Sequence, residues 1–183
     1  MTALVYVVIA LGVVVLAAAM LWKPVRNYFA RRGDRVVACP ENNETVAVSL
    51  TASAAAFGSG GDLRLESCTR WPEKAGCGQE CLREIEASPD GCLVRTRVRS
   101  WYQEKSCVYC GKPLGAVDWT ERKPAVLDPA GRTHEWRDVK PEALPAVLAT
   151  HKPVCWDCHV AETFRRVRPD LVIDNPGASG TVH

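Results

Sequence analysis

Nine cysteines stand in a chain of 183 residues. Four of them form two CxxC pairs, Cys107-Val-Tyr-Cys110 and Cys155-Trp-Asp-Cys158, which bracket residues 111–154. Two thiolates at this spacing converge on one ion when the chain turns sharply between them, and two such pairs supply the four sulfurs of a tetrahedral metal site. Gly111 directly follows the first pair, and a residue without a Cβ lets backbone amides approach the sulfurs. Four protein ligands leave no open coordination position, so such a site is structural rather than catalytic.

The second pair runs on into His159, which completes CxxCH, the attachment pattern of c-type haem. In that alternative Cys155 and Cys158 carry thioether bonds and His159 is the proximal ligand. Three observations weigh against it. Covalent haem attachment belongs outside the cytoplasm, and the charge pattern described below points the other way. The only methionines are Met1 and Met20, so the second axial ligand would fall to His134, His151 or His183. The haem alternative also leaves Cys107 and Cys110 without a task. Thiol–disulfide chemistry at one CxxC is disfavoured because neither pair follows a clear parallel strand.

Five cysteines remain: Cys39, Cys68, Cys77, Cys81 and Cys92. The first four are candidates for a second zinc. Cys77 and Cys81 bracket the start of a short helix, and Cys39 and Cys68 flank a pair of strands. An iron–sulfur cluster would use the same thiolates, although the spacings match no ferredoxin signature. Cys92 is left over and fits a small buried apolar residue. The competing reading makes all five unliganded core cysteines.

Cys107-Val-Tyr-Cys110-Gly-Lys-Pro-Leu114, taken with Cys155 and Cys158, resembles the knuckles of zinc ribbons and rubredoxin-like sites. The resemblance is local, covering roughly residues 105–160. It implies a metal ion and hairpin strands between the knuckles, and it implies no reaction. In general pattern the chain resembles membrane-anchored bacterial zinc-ribbon proteins. Of the histidines, His134, His151 and His183 read as surface residues, while His159, next to a thiolate, fits a hydrogen-bonding neighbour of the site. Trp71, Trp101, Trp119, Trp136 and Trp156 are expected to pack around the metal sites.

The elements that must carry these residues begin with an uncharged run from Ala3 to Trp22. At roughly 1.5 Å per residue this gives about 30 Å of helix, the thickness of a hydrocarbon core. A cleaved signal peptide is the rival, with Ala17-Ala18-Ala19 as the small-residue site. The basic n-region is missing, however, and Met20-Leu21-Trp22 prolongs the apolar run. Lys23, Arg26, Arg31, Arg32 and Arg35 follow the span, with Asp34 the single acid among them. This bias predicts an N-terminus outside and a soluble part in the cytoplasm, where many cysteines mean metal ligands rather than disulfides. The overall net charge of +2 decides nothing about partners.

Beyond the span, alternation predicts strands at Thr45–Leu50 and around Leu63 and Leu65. Gln79–Ala87 reads as a helix closed by Ser88-Pro89-Asp90-Gly91. Cys92–Tyr102 alternates and is expected to be a strand, with Arg95, Arg97 and Arg99 on one face. Aromatic interleaving is too thin to favour nucleic acid. Ala116–Trp119 is expected as a short strand, and Ala125–Asp128 with Arg132–Trp136 as a hairpin about Asp128-Pro129-Ala130-Gly131. Asp138–Thr150 fits a helix whose start Pro145 can shift. Val160–Val167 reads as a helix and Leu171–Asp174 as a last strand.

The expected layout is therefore a transmembrane helix (1–22), a basic juxtamembrane segment (23–35), a cysteine-rich α+β metal-binding domain (36–174) and a tail (175–183). No nucleophile–base pair, phosphate loop or paired-carboxylate motif stands out. The expected role is a zinc-built binding or assembly module at the membrane, engaging another protein. The alternative is a membrane-anchored electron carrier with haem or an iron–sulfur cluster.

Overall fold

The computed structural model describes residues 2–51, 63–74, 76–115, 119 and 122–171. The chain is mixed helix and sheet and gathers into two compact units. The first comprises Met1–Val98 and Pro141–Pro145, and the second Arg99–Lys140 and Ala146–His183.

The first unit opens with helix α1, Thr2–Arg31. Its stretch Val5–Phe29 has a mean hydropathy of 2.6 and is long and apolar enough to cross a membrane. The helix does not stop at Trp22. Pro24 is accommodated inside it, and Gly33, at φ +120°, turns the chain afterwards. Arg35 is not part of a basic surface segment. It opens strand β1 (Arg35–Ala38), is 1% exposed, and donates from Nη1 to the Gly33 carbonyl at 3.2 Å.

β1, β2 (Thr45–Leu50) and β3 (Leu65–Cys68) form an antiparallel sheet in that order, with Val37 opposite Val46 and Val48 opposite Cys68. The two expected strands are present, and β1 adds a third that the charge of Arg35 disguised. Val37, Val46, Val48, Leu50 and Leu65 bury one face against Ile85 of helix α2, Leu82–Ala87. Burying five aliphatic side chains at about 1.5–3 kcal/mol each is the main force holding this small sheet. The Ala38 amide also donates to Glu84 Oε2 at 3.0 Å, fixing α2 to the end of β1.

The stretch expected as a strand at Cys92–Tyr102 is helix α3, Val94–Tyr102. Only Leu93 makes a strand-like bridge, to Arg35. Val94, Val98 and Tyr102 are four residues apart, a spacing that satisfies alternation and a helical stripe equally. On a helix Arg95, Arg97 and Arg99 do not share a face. Arg97 Nε donates to Gly91 O at 2.8 Å, Arg95 Nη1 to Phe29 O at 3.2 Å, and Arg99 lies over the Trp119 ring at 5.7 Å.

The second unit is built on a sheet of order β5-β4-β6, with β4 at Ala125–Leu127, β5 at Thr133–His134 and β6 at Lys152–Val154. β4 and β5 are the expected hairpin, and its turn closes through Gly131 N to Asp128 O at 3.0 Å with Gly131 at φ +81°. Pro145 shortens the following helix to α4, Leu144–Thr150, preceded by a 3₁₀ turn at Pro141–Ala143. Where a helix end was expected at His151-Lys152-Pro153, the chain turns into β6, which tolerates Pro153 because β6 is an edge strand. Helix α5, Trp156–Val167, starts earlier than the Val160 expected.

Tyr102 is the centre of the aromatic packing. Its hydroxyl donates to Ala125 O at 2.6 Å and accepts from Trp136 Nε1 at 3.1 Å, and the rings of Trp101, Trp119 and Trp136 meet it edge-on. These three tryptophans thus pack around Tyr102, whereas Trp71 and Trp156 lie beside cysteines. The strand expected at Ala116–Trp119, apart from Trp119 itself, lies outside the described residues. So does the strand expected at Leu171–Asp174, beyond Leu171, which sits in a 3₁₀ turn, and so does the tail.

Candidate metal centre

Cys107 and Cys110 are held by a short reversed loop. Leu114 N donates to Lys105 O at 2.8 Å, Cys107 N to Lys112 O at 2.9 Å, and Gly111 N to Cys107 O at 2.9 Å. Gly111 adopts φ +72°, the left-handed conformation that glycine enters without penalty. A Cβ at this position would meet nothing within 4 Å, so the requirement is torsional rather than one of space. Val108 N donates to Pro153 O at 2.9 Å, which pins the loop to β6 directly before Cys155.

The second pair is differently built. Cys155 is the extended residue at the start of α5 (φ −72°, ψ 159°), and Cys158 lies in its first turn. At this helix start the Cys158 amide reaches the Cys155 sulfur and favours its charged form. A zinc ribbon implies hairpin knuckles, so this helical second pair departs from that pattern.

All four Sγ atoms lie within 4.8 Å of one another. Cys110 Sγ and Cys155 Sγ are 3.7 Å apart, against about 3.8 Å for the edge of a tetrahedron with metal–sulfur bonds of roughly 2.3 Å. The donor set and its size therefore suit one metal ion. Cys107 and Cys155 are 2% and 5% exposed, while Cys110 is open to solvent. All nine cysteines are free thiols.

The electrostatics show why the set calls for a cation. Burial disfavours a charged Cys107, yet backbone amides of Cys155, Cys110 and Tyr109 outweigh it and bring the thiol down to about 7. Cys158 moves strongly the other way, through burial and its sulfur neighbours Cys155, Cys110 and Cys107. Cys155 also rises, by burial first. One thiolate forms readily here, and further ones are opposed by the charge already present. A bound cation removes that opposition for all four.

His159 is 7% exposed and shares a hydrogen bond of 2.9 Å between Nδ1 and the Thr133 hydroxyl on β5. Its Nε2 is 3.8 Å from Glu135 Oε1. The ring fastens α5 to the hairpin. His134 instead pairs with Asp128 through Nε2 at 2.9 Å, and His151 shares a hydrogen bond with the Thr150 hydroxyl at 2.9 Å. His183 lies outside the described residues.

Cys39, Cys68, Cys77 and Cys81 are brought around one cavity of about 170 Å³ in the first unit, with Arg70 and Trp71. Among the described residues, the group close enough to hold an ion without adjustment is the Cys107 set alone. Cys92 is separate. It is 2% exposed, packs in the sheet core, and donates its S–H to Glu84 O at 3.8 Å. Sequence reasoning missed Arg70, whose Nη1 lies 3.0 Å from Cys39 Sγ and 2.9 Å from Glu41 Oε2. Its place two residues past Cys68, in a loop rich in charge, carried no distinguishing pattern.

No family model, curated protein or solved structure matches this chain.

Proposed function

We propose that this chain is a single-pass membrane protein whose soluble part is organised by a structural zinc ion on Cys107, Cys110, Cys155 and Cys158, and that it serves as a binding or assembly module for another protein. The observation carrying this reading is the convergence of four thiols within 4.8 Å, two from a glycine-dependent loop and two from a helix start. Zinc suits four thiolates in tetrahedral array, and its binding free energy, on the order of 10 kcal/mol, becomes folding free energy. α1 provides the anchor. Lys23, Arg26 and Arg32, all beyond Trp22 at the C-terminal end of α1, favour a cytoplasmic soluble part, with Arg35 withdrawn from the count by its burial.

The electron-carrier reading fits less well. A proximal haem ligand needs an imidazole nitrogen open to the haem, whereas His159 is 7% exposed and its Nε2 faces Glu135 Oε1 at 3.8 Å. Cys155 is also shared with Cys110 rather than set apart for a thioether bond.

The test is to purify the full chain in detergent from cells able to mature cytochromes, then measure metal content and an optical spectrum. Colourless protein retaining zinc, with the most tightly held ion lost when Cys107 and Cys155 are replaced by serine, is the expected result. A covalent adduct with a Soret band overturns it. A reporter fused after His183 reads the orientation, and an exported reporter overturns the cytoplasmic assignment.

A further inference from the structure

The cavity of the first unit has features that a chance meeting of core cysteines would lack. Cys39 follows β1 in a tight turn, with Asn43 N donating to Cys39 O at 2.8 Å and Asn43 at φ +57°. That turn aims the amides of Glu41 and Asn42, two and three residues on, at Cys39 Sγ. Cys107 receives amides from the same two offsets, Tyr109 and Cys110. Cys77 repeats part of this pattern, its Sγ accepting the Gln79 N–H at 3.4 Å with Gln79 at φ +56°. Asn43 and Gln79, four and two residues after their cysteines, both take the left-handed conformation, which is uncommon for Gln.

The charges agree. Arg70 places a guanidinium 3.0 Å from Cys39 Sγ and is itself steadied by Glu41, which also pairs with Lys74. A permanently charged group directed at a sulfur is a partner for a thiolate, not for a neutral core thiol. Cys68 arrives at the end of β3 and Cys81 at the start of α2, so four separate points of the fold deliver sulfur to one cavity. Cys92, equally buried and only a short way along the chain, lacks an amide-lined turn: its S–H donates to Glu84 O at 3.8 Å, and burial pushes its thiol up despite the nearby Arg97.

We propose that Cys39, Cys68, Cys77 and Cys81 form a second site, for one soft divalent cation such as zinc or cadmium, in which Arg70 is a positioning residue that offsets thiolate charge. The site differs from the first in kind. The Cys107 set is already at bonding separation, whereas the Cys39 set surrounds a cavity and must draw in around its ion. The part suited to move is the loop before α2, where Cys77 lies between Gly76 and Gly78. Trp71 lines the same cavity and reports on the closure.

The experiment uses the full chain in detergent, stripped with chelator under reducing conditions and titrated with cadmium. About two ions per chain are expected, the second with weaker retention against chelator. Cys77→Ser with Cys81→Ser should bind about one ion and keep the Cys107 site. Cys107→Ser with Cys155→Ser should lose the tighter one, and Cys92→Ala should lose neither. Arg70→Gln should release the second ion about 10- to 100-fold more readily, and Arg70→Lys should restore part of its retention. The second equivalent of cadmium should change the fluorescence of the wild type and leave that of Trp71→Phe unchanged. An unaltered count of one in the wild type and in the Cys77/Cys81 variant overturns the proposal, as does brown protein containing inorganic sulfide. Because Arg70→Gln keeps all nine thiols, an ordinary retention there overturns the role of Arg70 even if a cysteine variant fails to fold.

Discussion

Replacing His159 by alanine separates the two chemistries that CxxCH allows. His159 is 7% exposed and Thr133 is 6% exposed, and the bond joining Nδ1 to the hydroxyl is 2.9 Å long. The substitution leaves the Thr133 hydroxyl buried without its partner, at a cost of about 1–3 kcal/mol. It also removes a ring packed beside Trp156, with centroids 5.7 Å apart, and the space left behind adds about 1–2 kcal/mol. The sum is a loss of roughly 2–5 kcal/mol, a large share of the stability of a small unit. Thr133→Val removes the hydroxyl while keeping the shape, and it should cost about 1–2 kcal/mol. The double variant should then be less damaging than the sum of the singles, because both remove the same bond. Urea titration of the full chain in detergent, followed by tryptophan fluorescence, measures all three. Metal content should stay at the wild-type value throughout, since His159 contributes no ligand. A variant as stable as wild type would refute the assigned role of the ring. Loss of the bound group in His159→Ala with stability preserved would refute the zinc assignment itself.

Three further outcomes follow from the same geometry. Asp128 accepts the Arg132 amide at 2.8 Å and pairs with His134 at 2.9 Å, which together hold its carboxyl down to about 2. Its folded value is thus below the unfolded value of about 3.9, so its stabilisation is present above about pH 4 and fades as pH falls toward about 2. Melting temperatures of Asp128→Asn should be lower than wild type at neutral pH and converge with it near pH 2, and parallel curves would contradict the assignment. Tyr102→Phe leaves a buried carbonyl and an indole N–H short of a partner and should cost about 1–3 kcal/mol in denaturant with metal content unchanged. Gly111→Ala meets no clash but is forced to φ +72°. It should cost about 1–2 kcal/mol, seen as faster loss of metal to a chelator, whereas an unaffected site would show that the left-handed turn is dispensable.

The four-cysteine cluster of the second unit was legible because its chemistry is written locally. A CxxC spacing states convergence without any knowledge of the fold, and Gly111 marks the turn. What surrounded them was less legible where two physical periods coincide. Val94, Val98 and Tyr102 fit both alternation and a helix, and only the packing of Tyr102 among Trp101, Trp119 and Trp136 selects the helix. β1 was hidden because Arg35 reads as a juxtamembrane charge, although its guanidinium reaches back to the Gly33 carbonyl from a buried position. β6 was hidden by Pro153, which is acceptable only at a sheet edge, and edge position is a property of the whole sheet. The hairpin at Asp128–Gly131 was visible because its turn residues act through their own torsions.

The helix α1 was legible from composition alone, but its extent was not. Pro24 signals a break in a sequence, yet a helix can carry a proline, since the lost hydrogen bond is local and the helix runs on to Arg31.

The segment Pro141–Pro145 belongs to the first unit although the residues on both sides of it belong to the second. Its Leu144 is fully buried. Protein synthesis therefore imposes an order on this molecule. While the chain emerges, the sheet that carries Cys39 and Cys68 waits for a strip encoded well downstream, after the whole Cys107 loop has left the ribosome. Neither unit can be released by a single cut in the gene, and the first is complete only once Pro145 has emerged. The first unit therefore closes only after the Cys107 loop has been made, with α1 already long since available to the membrane.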